Sequence, residues 1–198
     1  MMTQTITTYK YEELDRVAQV RASQWYEMKA LDPLFFREYC EEYLKNLFPN
    51  SDLTVAFSLS YSKGDGLLVY GSLDLRDCLT VVHDKFTPTE IKFLNWVITE
   101  WEDTYKIPYS NYYHLFLDFA GEIVGDMEWN NIRGIKEDVL IKFEKEIEEY
   151  LLDLCNQLEK DGYKFFYEYS EEDVTQYYEE RGYYFLLDGT LVQDWWTE

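Results

Sequence analysis

The chain has 198 residues and a formal net charge of −21, from 39 acids against 18 bases. That length suits one sizeable core, and an aromatic content of 19% excludes an acidic disordered chain. No apolar run reaches the roughly 18 residues of a membrane helix, and the three scattered cysteines, Cys40, Cys78 and Cys155, form no CxxC and argue against a disulfide framework or a zinc site. Residues 1–8 carry neither the basic nor the apolar region of a secretory signal, so a cytoplasmic protein is expected. The charge is uneven: residues 122–198 hold 21 acids and 7 bases. Self-repulsion on that scale opposes compaction.

In chain order, Tyr11, Leu14, Ala18, Ala22 and Trp25 recur at three- and four-residue steps and predict a helix over 10–30. Asp32-Pro33 ends it and starts the next, with Asp32 as N-cap and Pro33 at the first helical position. The second helix runs to about Leu47, burying Phe36, Tyr39, Cys40, Tyr43, Leu44 and Leu47. Val55, Phe57, Leu59 and Tyr61 then alternate with small and polar residues, and Leu67, Val69, Leu73 and Leu75 provide a return strand. Between them, Ser62-Lys-Gly-Asp-Gly66 has the glycines of a short hairpin loop. Pairing Tyr61 with Leu67 puts Phe57 opposite Gly71, where an aromatic ring covers the missing side chain.

The chain reads as irregular from Leu75 to Thr87-Pro-Thr-Glu90, a capping box that opens a helix extending to about Lys106. A strand is predicted over Tyr112–Ala120, then a loop with a short strand around Ile123–Trp129. The longest helix is expected over 135–160, with Val139, Leu140, Phe143, Ile147, Tyr150, Leu151, Leu154 and Leu158 as its stripe and Gly162 just past its end. Ser170 starts a short helix that ends at Gly182, and a hairpin closes the chain across Asp188-Gly189. The expected fold is one α+β domain over 1–198, a mainly antiparallel sheet built from hairpins with amphipathic helices packed on it.

No stretch announces a reaction, and neither cofactor, metal nor catalytic residue is expected. His83 and His114, the two histidines, have no partners at metal-ligand spacing. Asp74, Asp77, Asp118, Asp126 and Glu128 lack the calcium-loop pattern. Without a basic stripe, direct binding to nucleic acid is not expected. The acids themselves are the better lead. Duplex DNA carries one charge per about 1.7 Å of axis, and a helix can space carboxylates in a comparable row. Positions i, i+7 and i+11 put Glu137, Glu144 and Glu148 on one broad face, flanked by Asp138 and Glu149, and Glu171, Glu172 and Asp173 continue the acidic run. These eight are the candidate partner-binding residues, and a solvated helix face is their plain structural alternative. A second candidate is a ligand or catalytic site of Tyr61, Asp65 and His114 around the hairpin loop. A third is a structural or host-interaction role in which aromatics such as Trp195 and Trp196 dock a partner.

Tyr9-Lys-Tyr-Glu-Glu-Leu14, Phe57-Ser-Leu-Ser-Tyr-Ser-Lys-Gly-Asp-Gly66, Tyr112-Tyr-His114 and Glu159-Lys-Asp-Gly-Tyr163 together resemble a family of acidic, functionally uncharacterised proteins encoded by tailed bacteriophages and prophages. The resemblance spans nearly the whole chain. Ser62-Lys63 stands where that family is expected to carry Cys-Gln or a similar pair, which weakens the case for thiol chemistry in the loop. The resemblance implies an accessory protein acting in bacterial cytoplasm. By analogy of habitat and charge, it also implies an inhibitor of a host defence nuclease, anti-CRISPR-like or a DNA mimic, with the nuclease or its nucleoprotein complex as partner.

Overall fold

The computed structural model describes residues 6–100, 104–109, 115, 117–129 (backbone only at 127–129) and 136–192. Its contacts group into two compact units, Met1–Phe36 with Tyr163–Glu198, and Arg37–Gly162. The elements are α1 (Arg16–Lys29), α2 (Pro33–Leu47), β1 (Asp52–Ser58), β2 (Gly66–Asp74), α3 (Leu75–Val82), α4 (Pro88–Glu100), β3 (Thr104–Ile107), α5 (Phe119–Trp129), α6 (Glu137–Tyr167), α7 (Glu171–Glu180), β4 (Tyr184–Phe185) and β5 (Leu191–Val192). The chain is α+β, but mainly helical. The expectation of a mainly antiparallel sheet is corrected: among the described residues, the central hairpin and one added strand form a three-stranded sheet, and β4 and β5 a two-stranded one.

In the first unit, a 3-10 turn at Tyr11–Glu13 precedes α1. Helix α1 starts only at Arg16 because Asp15 caps it, its carboxylate accepting from Ala18 N at 2.9 Å. Tyr11, Leu14, Ala18, Ala22, Tyr26, Val174, Tyr178 and Phe185 form the core. The alanines of α1 leave room for rings from α7 and β4: Tyr178 meets Phe185 edge-on at 4.8 Å and tilts against Tyr11 at 5.5 Å. Tyr9 exchanges two backbone hydrogen bonds of 2.8 Å with Phe185. The closing hairpin is as read: Leu186 N donates to Thr190 O, and Gly189 has φ +81°. Gly189 lies so close to α1 that a Cβ there would sit 2.1 Å from Ala18 O.

In the second unit, β2 is the middle strand, antiparallel to β1 and to β3. Leu67, Leu68 and Val69 are all buried, so both faces of β2 are covered. Val55, Leu73, Leu94, Ile107, Phe143, Ile147 and Leu151 are core residues of the same unit. The register differs from the expected one by four residues. Phe57 pairs with Leu67 and Leu53 with Gly71, so Phe57 does not lie opposite that glycine. Its φ of +127° and the approach of Asp52 O, 2.3 Å from where a Cβ would sit, explain the residue instead.

Five further expectations change. The segment after β2 is helix α3, capped by Asp74, whose carboxylate accepts from the backbone N–H groups of Arg76 and Asp77. The helix opened by the Thr87–Glu90 box ends at Glu100, and 104–107 is strand β3. Phe119–Trp129 is helical, not strand, while Tyr112, Tyr113 and His114 lie outside the described residues. Helix α6 runs through Gly162, which is buried within it, to Tyr167. Finally, Tyr39 and Tyr43 of α2 are exposed, stacking on one another at 6.4 Å.

A buried polar network ties the sheet to the loop before it. Asp77 accepts from Asn50 N (2.9 Å), Asn50 Nδ2 (2.8 Å) and Ser51 Oγ (2.8 Å), and Asp74 N donates to Ser51 Oγ at 2.9 Å. Both carboxylates are buried and hydrogen-bonded, as burial demands.

Candidate functional site

The eight acidic candidates separate into structural and surface groups. Glu144 is half-buried: its Oε2 accepts from Ala120 N, in the first turn of α5, at 2.8 Å. It therefore caps α5 from a neighbouring helix, and burial raises its pKa above the usual carboxylate value. Glu148 is also half-buried. The predicted row of Glu137, Glu144 and Glu148 thus runs along the margin of the buried stripe of α6. The outermost face carries Asp138, Lys145, Glu149, Leu152, Asp153 and Asn156, all exposed. Lys145 pairs with Glu149 at 3.6 Å, an exposed i,i+4 contact of little energetic weight.

On α7, Asp173 completes a capping box. Asp173 N donates to Ser170 Oγ (3.2 Å) and Ser170 N donates to the Asp173 carboxylate (2.7 Å), which holds its pKa below the usual value. Glu171 pairs with Arg16 at 2.5 Å. Glu137, Asp138 and Glu172 are exposed and have no ion pair among the described residues. All three lie in the first turn of a helix, where the dipole favours negative charge.

The hairpin candidate is also used from within. Asp65 accepts from the hydroxyls of Ser58, Ser60 and Ser62 (2.9–3.2 Å) and from the backbone N–H groups of Ser60 (2.6 Å) and Ser62 (2.9 Å). These bonds close the seven-residue loop between Ser58 and Gly66. Tyr61 stands at its tip, 68% exposed with φ +55°. The third member, His114, lies outside the described residues, as do Trp195 and Trp196. His83 is exposed, its Nδ1 3.2 Å from Thr80 O. Burial pushes the Cys40 and Cys155 thiols up to about 12 and about 11, and Cys78 well above its ordinary value, conditions that suppress the thiolate. Among the described residues, no group of three or more His, Cys, Asp or Glu side chains is placed to hold a metal ion, and no helix is long and apolar enough to cross a membrane.

Sequence reasoning missed a cleft in the first unit. Tyr11, Tyr178, Tyr183 and Tyr184 line it with Glu12 and Glu179, around a volume of about 130 Å³. Lys10 Nζ lies 3.5 Å from Glu179 Oε1 beside it. The available signal was the recurrence of tyrosine pairs, Tyr177-Tyr178 and Tyr183-Tyr184, on either side of the turn at Gly182. Searches against known protein families, curated proteins and solved structures find no match to the chain.

Proposed function

We propose that the chain is a non-catalytic inhibitor that binds a basic, nucleic-acid-binding surface of a bacterial defence nuclease. The observation that carries this reading is the net charge of −21, together with carboxylates such as Glu137, Asp138 and Glu172 that are exposed and in no ion pair among the described residues. A protein gains no stability from such an excess, because like charges repel. A partner rich in Lys and Arg turns the same excess into faster association and correct orientation.

The experiment is binding and inhibition against purified defence nucleases, CRISPR effectors first and restriction enzymes second, across a salt series. Affinity is expected to fall steeply between low and physiological salt, since the screening length shortens from about 30 Å at about 0.01 M to about 8 Å at physiological ionic strength. Salt-independent binding, or no inhibition across the panel, overturns the reading.

A further inference from the structure

We infer that the tyrosine-lined cleft of the first unit receives an arginine side chain of the protein partner; the inference rests on the reading just given and identifies one anchoring contact within it. About 130 Å³ is well below the roughly 300–1,000 Å³ of pockets for whole small molecules, and suits a single side chain. Two features select a cation. Aromatic rings attract one through their negative faces, and Tyr11, Tyr178, Tyr183 and Tyr184 supply rings. The hydroxyls of the two deepest are engaged in the core, Tyr11 with Ser23 at 2.9 Å and Tyr178 with Ala22 O at 2.6 Å. Both rings are themselves buried and form the closed floor of the cleft, so the rings open to an incoming cation are those of Tyr183 and Tyr184. Glu12 and Glu179 add two carboxylates.

The molecule already brings a cation to this place. Lys10 Nζ approaches Glu179 at 3.5 Å, with both side chains about half exposed. An exposed pair of this kind is weak, so an incoming guanidinium can displace the ammonium. Elsewhere in the same unit, the Arg181 guanidinium lies 3.9 Å from the centroid of the Tyr177 ring. Arginine fits better than lysine: its planar guanidinium stacks on a ring and meets a carboxylate with two parallel donors, which an ammonium cannot do.

The test titrates N-acetyl-arginine amide into the full chain, with the citrulline and lysine amides for comparison, following the tyrosine ring signals by NMR. The arginine amide is expected to perturb Tyr183 and Tyr184 and to bind several-fold more tightly than either comparison. Lys10→Met, which removes the resident ammonium, should tighten binding about fivefold, the scale of one exposed ion pair. Glu179→Gln and Tyr184→Ala should each weaken it by at least that factor. Tyr184 is half exposed, so its variant keeps the test available if another fails to fold. Equal binding of the arginine and citrulline amides, tighter binding of the lysine amide, or indifference to Lys10→Met overturns the inference. Arginine binding without nuclease inhibition would sink the proposed function and leave the cleft assignment standing. Full inhibition by a folded Tyr184→Ala/Glu179→Gln double variant would do the reverse.

Discussion

The Tyr178 hydroxyl donates to the backbone carbonyl of Ala22 at 2.6 Å, joining α7 to α1 in the interior of the first unit. The ring is 1% exposed and touches Tyr11, Trp25, Tyr26 and Phe185. Tyr178→Phe should therefore cost about 1 kcal/mol, the net worth of one buried hydrogen bond, and Tyr178→Ala about 3–5 kcal/mol. Urea unfolding measures both.

The same burial predicts an alkaline limit. Desolvation raises the Tyr178 pKa, and it is also the leading cause of the raised values of Tyr26, Tyr169 and Tyr177. For a group whose folded pKa is raised, the stabilisation is full below the unfolded value of about 10 and is lost as pH rises through the folded value. Stability should be flat up to about pH 10 and fall steeply above it, with the tyrosinate absorbance of the buried rings appearing together with loss of ellipticity. Tyr178→Phe should soften that fall. Complete tyrosinate formation, buried rings included, with the fold intact would contradict this account.

Gly71 and Gly189 combine positive φ with backbone atoms 2.3 and 2.1 Å from a notional Cβ, whereas Gly64, also at positive φ, faces open space. Gly64→Ala should then cost about 1–2 kcal/mol, the strain of a left-handed backbone alone. Gly71→Ala and Gly189→Ala should cost clearly more, because a strand and a helix carbonyl must move. Thermal melts of the three variants separate backbone strain from steric conflict.

Much of this fold was readable wherever one local rule decided the outcome. The Asp32-Pro33 start, the Thr87–Glu90 box and the Ser170 cap each need only neighbouring atoms, and each is present. Distant atoms decided what was misread. The hairpin register shifted because Asp65 gathers Ser58, Ser60 and Ser62 into a longer loop. Helix α3 was hidden because Leu75 continues the alternation of β2, although Asp74 is its N-cap. Gly162 stayed helical because packing on its buried side outweighs its propensity. The acidic face of α6 was legible as a composition but not as a surface, since only the fold shows Glu144 turned toward α5.

Asp77 offers the clearest long-range dependence. It takes three hydrogen bonds from Asn50 and Ser51 while 4% exposed. Asp77→Ala leaves the buried Ser51 hydroxyl and both Asn50 donors without their acceptor and should cost about 3 kcal/mol. Hydrogen exchange should show the Asn50 amide losing protection.

The last prediction separates carboxylates that build the fold from those available to a partner. Glu144 is raised by burial, so its folded state favours the neutral form: the benefit is full below about pH 4.3 and gone once pH exceeds the folded value. At pH 7 the penalty is in place, and Glu144→Gln, which keeps an acceptor for Ala120 N, should hold or raise the melting temperature there. It should lose that advantage near pH 4, and inhibition should be unchanged. A second variant neutralises Glu137, Asp138, Asp153 and Glu172, all exposed. Losing helix-dipole contacts costs about 0.3–1 kcal/mol for each first-turn residue, and relief of repulsion offsets part of that, so its melting temperature should shift by only a few degrees. If charge drives docking, this variant should associate more slowly with the target nuclease and show a shallower salt dependence. A folded quadruple variant that inhibits like the parent, beside a folded Glu144→Gln that does not, would reverse the assignment and place function at the margin of α6.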